Sequence, residues 1–257
     1  PTLRKKARMC CIPSTSGTAS EVSRSIVISD NATGLKHGLG NMEMMPDIAI
    51  CDPEVTVSMP AKITAETGMD ALTHALEALA STRANYVSDI LATQSAIDIM
   101  ETLPIAYENG TDMHAREIML QASMVAGMAF TNVSLGIVHS MAHTLGGMFH
   151  VAHGLADAIL LPYVIRYNSS DAKAKEVYDT FAKKVGAENL YEAVEALNKK
   201  LNIPSCLQEV IPDEAAFVEK LDEMAALAKA DGCTKTNPII PELEGFKELF
   251  MKAYKGE

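Results

Sequence analysis

The amino-acid sequence predicts a mainly α-helical protein that opens with a short strand-rich segment. Apolar residues recur every three to four positions through most of residues 60–257, which places them on one face of successive helices. Residues 1–59 instead contain short β-branched runs between clusters of Ser, Thr, Gly, Asn and Pro, a pattern typical of strands and turns. We therefore predict two units, a strand-rich unit at 1–59 and an all-helical unit at 60–257.

The individual elements follow from the same patterns. Strands are predicted at 9–13, 25–28 and 48–51. No crossover helix separates them, so we expect them to belong to a sheet whose remainder lies upstream. Helices are predicted at 65–80, 86–107, 115–130, 134–148, 158–167, 171–184, 190–201, 213–228 and 243–254.

Composition excludes several classes of protein. Of 257 residues, 48% are hydrophobic and 21% charged, the balance of a globular chain. The net charge of −11 and the lack of a basic run argue against nucleic-acid binding. Five cysteines without Cys-x-x-Cys spacing argue against a disulfide framework and indicate a reducing cytosol. The most apolar stretch, 118–145, is interrupted by Asn, Ser, Gly and His, so we predict buried helix and no membrane span.

The chemistry-bearing residues are clustered histidines and one aspartate. Four of the seven histidines fall between 139 and 153: His139, His143, His150 and His153. His139 and His143 share one helix face, and Asp70 and His74 repeat that four-residue spacing among Ala, Leu and Met. A buried aspartate beside imidazoles is costly unless a cation neutralises it. Either pair alone is more often a local hydrogen-bonded pair, but together the two favour a metal site.

These motifs resemble the metal-binding pattern of the iron-containing alcohol dehydrogenases. The matching phrases are DALTH at 70–74, HSMAH at 139–143 and HVAHG at 150–154, with AGMAF at 126–130, SLGIV at 134–138 and AILLP at 158–162 between or after them. The resemblance runs from about residue 13 to the final helix. It implies Fe²⁺, with Zn²⁺ as the alternative, and the ligands Asp70, His74, His139 and His153. It makes His143 a catalytic residue near substrate and cofactor, and His150 a lining or surface residue.

The opening segment is similar to a cofactor-contacting loop of the same family. This resemblance implies that NAD or NADP is contacted by Ser14, Thr15, Gly17, Thr18 and Lys36. Physically, Gly17 permits close backbone approach, and the hydroxyls can donate to phosphate oxygens. Taken alone, the Ser/Thr/Gly string is more often a turn with a helix cap, and Lys36 an exposed turn lysine.

Four residues are candidates for the substrate pocket. Phe130, Leu135 and Phe149 could form an apolar wall, with core packing as an equally good interpretation. Cys233 lies in a segment, 232–238, that resembles a family loop closing on the active site. A plain buried or capping cysteine is the alternative interpretation for Cys233.

The sequence also departs from the family pattern. The family's glycine-rich pyrophosphate loop would lie upstream of residue 1, and Gly34, Gly38 and Gly40 do not have its spacing. We therefore expect the chain to combine the helical metal-binding domain with a remnant of an α/β dinucleotide-binding domain, in a dehydroquinate synthase-like architecture. By itself such a truncated chain should be poorly active. Asp157 stands where the family often has asparagine, which adds negative charge near the site.

The resulting functional hypothesis is a cytoplasmic, homodimeric, NAD(P)-dependent alcohol dehydrogenase. Hydride would pass between a small alcohol or its aldehyde and the nicotinamide while a metal polarises the oxygen, without nucleic-acid or membrane partners. One alternative is a zinc glycerol-dehydrogenase or dehydroquinate-synthase relative. Such proteins typically use one carboxylate and two histidines, which the four-ligand set counts against. Another is a non-catalytic, metal-stabilised helical module or fragment, which the missing cofactor loop favours.

Overall fold

The strand-rich opening forms two separate pairs of strands. A computed structural model describes residues 7–29 and 36–257. Within them the strands are β1 (Cys10–Cys11), β2 (Ser25–Ser29), β3 (Lys36–Gly40) and β4 (Ile48–Ala49). β1 pairs with β4 in parallel, and β2 pairs with β3 antiparallel. The three predicted strands are present, two of them shorter than predicted. The sequence did not predict β3, because Lys-His-Gly-Leu-Gly contains no β-branched residue.

The rest of the described chain is helical, which confirms the predicted fold class. Its α-helices are α1 (Ala61–Ala80), α2 (Tyr86–Glu108), α3 (Met113–Val133), α4 (Ile137–Met148), α5 (His153–Asn168), α6 (Ala172–Lys184), α7 (Leu190–Lys200), α8 (Glu214–Ala230) and α9 (Leu243–Lys255). Helix α1 packs against α2, α3 and α5, and α4 packs against α5 and α8. Met69, Leu72 and Leu76 of α1 are almost fully buried, so α1 lies in the core.

The turn between α3 and α4 includes residues that the sequence assigned to the start of the second helix. Ser134 adopts a φ of 67°, and its N–H bonds to the Phe130 carbonyl to close α3. Gly136 is extended, so α4 begins at Ile137 and not at residue 134. The two helices are bent by 105° relative to each other. Among the described residues no single helix is long and apolar enough to cross a membrane, and α3 with α4 passes that test only as this bent pair.

Gly154 lets the first turn of α5 approach α1 closely. A Cβ on Gly154 would lie 2.1 Å from the backbone oxygen of Glu66 and 3.3 Å from Cβ of Asp70. No side chain fits such a gap without backbone movement, so glycine is required for this contact. The contact brings His153, the residue before Gly154, next to Asp70.

Replacement of Gly154 tests this close approach. Alanine favours a helix over glycine by about 1 kcal/mol, yet we expect Gly154→Ala to reduce the free energy of unfolding by roughly 1–3 kcal/mol because of the overlap with Glu66. Chemical denaturation of the intact protein measures the change. Gly232→Ala is the matched control, since a Cβ there meets no atom within 4 Å. Equal stability of the two variants would contradict the close approach.

Candidate metal centre and active-site cleft

Three helices each contribute two polar side chains, four residues apart, to one buried cluster. The pairs are Asp70 and His74 on α1, His139 and His143 on α4, and His153 and Asp157 on α5. Side chains four apart lie on the same face of a helix, so each helix presents its pair in one direction. The packing of α1 against α5, and of α4 against α5, brings the three faces together.

Three of the four predicted ligands, all imidazoles, converge on one carboxylate oxygen of the fourth, Asp70. Asp70 Oδ1 lies 3.6 Å from His74 Nε2, 3.6 Å from His139 Nε2 and 3.8 Å from His153 Nε2. Metal–ligand bonds of about 2.0–2.2 Å place neighbouring ligand atoms of a tetrahedral site roughly 3.3–3.6 Å apart. Asp70 Oδ1 and His139 Nε2 are buried without a hydrogen-bond partner among the described residues. These residues therefore fit a divalent ion.

Glu77 orients the central imidazole. His139 Nδ1 lies 2.7 Å from Glu77 Oε2, and Glu77 Oε1 accepts a hydrogen bond of 2.7 Å from the Val138 N–H. Glu77 is buried on α1, seven residues after Asp70, so it shares that helix face. Because Glu77 lies against Nδ1 of His139, Nε2 is the ring nitrogen that faces the cluster and could bind a metal ion.

The charges in the cluster suit a bound cation. Burial by itself would raise the pKa of Asp70, but the surrounding imidazoles, His74 foremost, hold it below its usual value. Burial lowers the pKa of His74 to about 4, so its imidazole is neutral at pH 7, as a metal ligand must be. Burial would also lower the pKa of His139, but Asp157 and Glu77 raise it well above the usual value. A divalent ion would take the place of the proton on His139.

A cleft of about 1070 Å³ opens over the cluster. The helical unit forms one side, and the β2–β3 hairpin lines another. Three of the four predicted pocket residues, Phe130, Leu135 and Cys233, line this cleft. Phe149 lies outside the lining: its ring packs on Phe217 with centroids 5.7 Å apart, which is the core packing that the sequence also allowed.

His143 lies in the cleft beside the cluster and is held by Asp231. Its ring stacks on His153 with centroids 5.4 Å apart, and its Nδ1 lies 2.8 Å from Asp231 Oδ2. The other oxygen of Asp231 accepts a hydrogen bond from the Cys233 N–H. Burial would raise the pKa of Asp231, but the hydrogen bond from His143 keeps it below the usual value. Since an ionised carboxylate only accepts, Nδ1 carries the hydrogen of this bond.

The residues predicted to contact the dinucleotide do not all line the cleft. Thr18 lines the cleft, whereas Ser14, Thr15 and Gly17 lie outside its lining. The backbone of Gly17 packs on α1, where a Cβ would come within 2.7 Å of Thr67 Cβ. The small size of Gly17 therefore serves helix packing at this point.

Lys36 and His150 are the two remaining residues that the sequence analysis singled out. Lys36 is the first residue of β3, but its side chain lies outside the described part of the structure. His150 is exposed, with a φ of 56°, and lies outside the cleft lining. A surface position is one of the two expected for His150.

The sequence analysis missed Glu77 and Asp231. Glu77 had a usable signal, because Asp70, His74 and Glu77 follow the spacing of one helix face. The sequence contains no such signal for Asp231. Asp231 lies 88 residues from His143, and the two residues meet through the packing of α4 on α8.

Removal of the charge on Glu77 tests its role toward His139. We expect Glu77→Gln to weaken divalent-metal affinity about 10–100-fold, because His139 loses its carboxylate acceptor. Chelator competition on the intact protein measures the affinity. Glu66→Gln is the matched control, a buried carboxylate on the same helix whose ion-pair partner is Lys62. Similar losses in the two variants would show that Glu77 has no specific role.

Comparison with known proteins agrees with the motif pattern. The family model of the C-terminal part of the Fe-containing alcohol dehydrogenase family matches residues 64–254, and the iron-containing alcohol dehydrogenase model matches 1–53. The chain is 43% identical over 265 residues to an NADPH-dependent butanol dehydrogenase of Clostridium saccharobutylicum, covering 100% of this chain and 67% of that protein.

Solved structures lead to the same family. An iron-containing alcohol dehydrogenase from Thermococcus thioreducens is 36% identical with a TM-score of 0.94, covering 100% of this chain and 67% of that one. A sulfoacetaldehyde reductase from Bifidobacterium kashiwanohense in complex with NAD⁺ is 27% identical with a TM-score of 0.88, covering 98% of this chain and 66% of that one. The chain thus spans about two thirds of the length of these relatives.

The matches to family models, relatives and solved structures bear on the predicted family and cofactors. They confirm the predicted alcohol dehydrogenase family and the predicted oxidoreductase class. They also confirm the predicted cofactor classes, iron and a nicotinamide dinucleotide. The chain belongs to the iron-containing alcohol dehydrogenase family.

Proposed function

We propose that the protein containing this chain interconverts a short primary alcohol and its aldehyde, with hydride transfer to or from NAD(P). The observation that carries this proposal is the convergence of three imidazoles and Asp70 at a cleft that also holds His143. The butanol dehydrogenase relative supports a short, unbranched alcohol as substrate. The apolar side chains of Phe130 and Leu135 in the lining suit the alkyl part of such a substrate.

We propose that Asp70, His74, His139 and His153 hold the divalent ion. When bound there, the ion supplies Lewis acidity that polarises the alcohol or carbonyl oxygen. Phe130 stacks on His74 with ring centroids 4.4 Å apart, which fixes the imidazole and shields it from water. Water exclusion strengthens the electrostatic interactions of the remaining groups.

His143 is the proposed catalytic base and acid. Its Nε2 would take the hydroxyl proton of the alcohol and return that proton in the reverse direction, while a bound nicotinamide would supply the hydride acceptor or donor. Asp231 holds Nδ1–H and stabilises the imidazolium that forms. Asp231 is therefore a positioning residue, because it acts through His143.

The nicotinamide dinucleotide is proposed to bind along the hairpin side of the cleft. Thr18 of the opening loop lines this side, as do Ser25, Gly38 and Gly40 of the hairpin. Lys36 begins the strand that contains the two glycines. Backbone and hydroxyl groups of this kind suit the oxygens of phosphate and ribose.

We also propose a division into two domains, a cytoplasmic location and a homodimeric state. We assign residues 1–59 to the cofactor-binding domain and residues 60–257 to the metal-binding domain, a division supported by the limits of the two family models. A cytoplasmic location is supported by five free cysteines. A homodimer is supported by the family resemblance, and sedimentation of the intact protein would measure it.

Two histidine variants test the proposed function. We expect His139→Ala to lose both bound metal and alcohol oxidation, because His139 is the central ligand. We expect His143→Ala to retain metal and to lower kcat by about 10²–10⁴-fold, the usual contribution of a general base. The assays are elemental analysis and NAD(P)H formation with 1-propanol or 1-butanol in the intact protein.

His114→Ala serves as the control, since His114 is exposed on α3 and lies outside the cleft lining. Equal metal loss in His143→Ala and His139→Ala would make His143 a ligand. Full turnover of His143→Ala would exclude its role in proton transfer.

A further inference from the structure

We propose that Asp157 is an additional ligand of the ion held by Asp70, so that the centre contains two carboxylates. This inference rests on the proposed metal centre and deepens it. It concerns how the ion is held, whereas the proposed function concerns the reaction.

The position of Asp157 is the first argument. Asp157 follows His153 by one turn of α5, and Asp157 Oδ2 lies 3.3 Å from His153 Nε2. One ligand atom each from Asp70, His139, His153 and Asp157 can be chosen so that all four lie within 4.8 Å of one another. His74 lies outside this set but reaches Asp70 Oδ1 at 3.6 Å. The second carboxylate is thus as central to the cluster as the predicted ligands.

The unmet hydrogen-bonding capacity of Asp157 is the second argument. Its side chain is 0% exposed, and neither carboxylate oxygen has a hydrogen-bond partner among the described residues. Glu77 differs, because its two oxygens bond to the Val138 N–H and to His139 Nδ1. A buried carboxylate without a hydrogen bond is costly, so both oxygens of Asp157 are available to a cation shared with the neighbouring His153.

Asp157 also changes the coordination number of the centre. With Asp70, His74, His139 and His153, Asp157 would raise the number of protein ligands from four to five. Zn²⁺ in closed protein sites is almost always four-coordinate, so a fifth protein ligand distinguishes this centre from a typical structural zinc site.

Asparagine at residue 157 provides a direct test, because it has the shape of aspartate without its charge. We expect Asp157→Asn in the intact protein to weaken Mn²⁺ binding at least tenfold and Zn²⁺ binding less, as measured by chelator competition. Glu21→Gln is the matched control, a buried carboxylate with one unpartnered oxygen outside the cleft lining. We expect that control to leave both affinities unchanged. Affinities in Asp157→Asn equal to those of the parent protein would show that the Asp157 carboxylate is not a ligand, and would overturn the proposal.

Cobalt substitution tests the same point without a variant. The visible absorption of Co²⁺ is weak in five- or six-coordinate sites and intense in four-coordinate sites. We expect weak absorption in the parent protein and stronger absorption in Asp157→Asn. Intense four-coordinate absorption in the parent protein would overturn the proposal even if Asp157→Asn failed to fold.

The proposed function and the proposed role of Asp157 can be contradicted separately. A protein that binds Mn²⁺ through Asp157 but oxidises no alcohol would contradict the proposed function alone. An active enzyme whose cobalt spectrum is four-coordinate would contradict the role of Asp157 alone.

Discussion

The burial of Asp70 among three imidazoles is the constraint on which the rest of the structure depends. Helix α1 lies in the core, so its carboxylate is almost fully removed from water. An isolated buried carboxylate is strongly disfavoured, and its stabilisation requires positive charge from imidazolium or from a metal ion. The α4 and α5 helices must therefore approach α1 with their histidines in one register. Their packing and the chemistry of the site are two aspects of the same arrangement.

The same constraint explains the tight contacts around the cluster. Glu77 accepts hydrogen bonds from His139 and from the Val138 N–H in the first turn of α4, so one carboxylate both caps that helix and fixes the imidazole. A carboxylate at a helix N-terminus is also favoured by the helix dipole. A Cβ on Gly136 would come within 2.8 Å of Glu77 Oε1, which shows how closely α4 begins against α1.

Separate parts of the chain line the cleft. The helical unit supplies the candidate metal ligands and His143, whereas the β2–β3 hairpin lines another side. Asp231, at the end of α8, reaches His143 across the opening and is itself fixed by the Cys233 N–H. An imidazole held in this way keeps one tautomer and one orientation.

The sequence by itself determined the helical class, the pairs Asp70/His74 and His139/His143, and the family resemblance, because the helix repeat fixes which side chains share a face. Only the tertiary structure decided the rest. In the structure the strand-rich opening forms two separate pairs of strands, Phe149 packs against the core, and Asp231 contacts His143. Asp157 is buried near Asp70, and its carboxylate has no hydrogen bond among the described residues. Each of these outcomes depends on distances between elements far apart in the chain, and local periodicity contains no information about such distances.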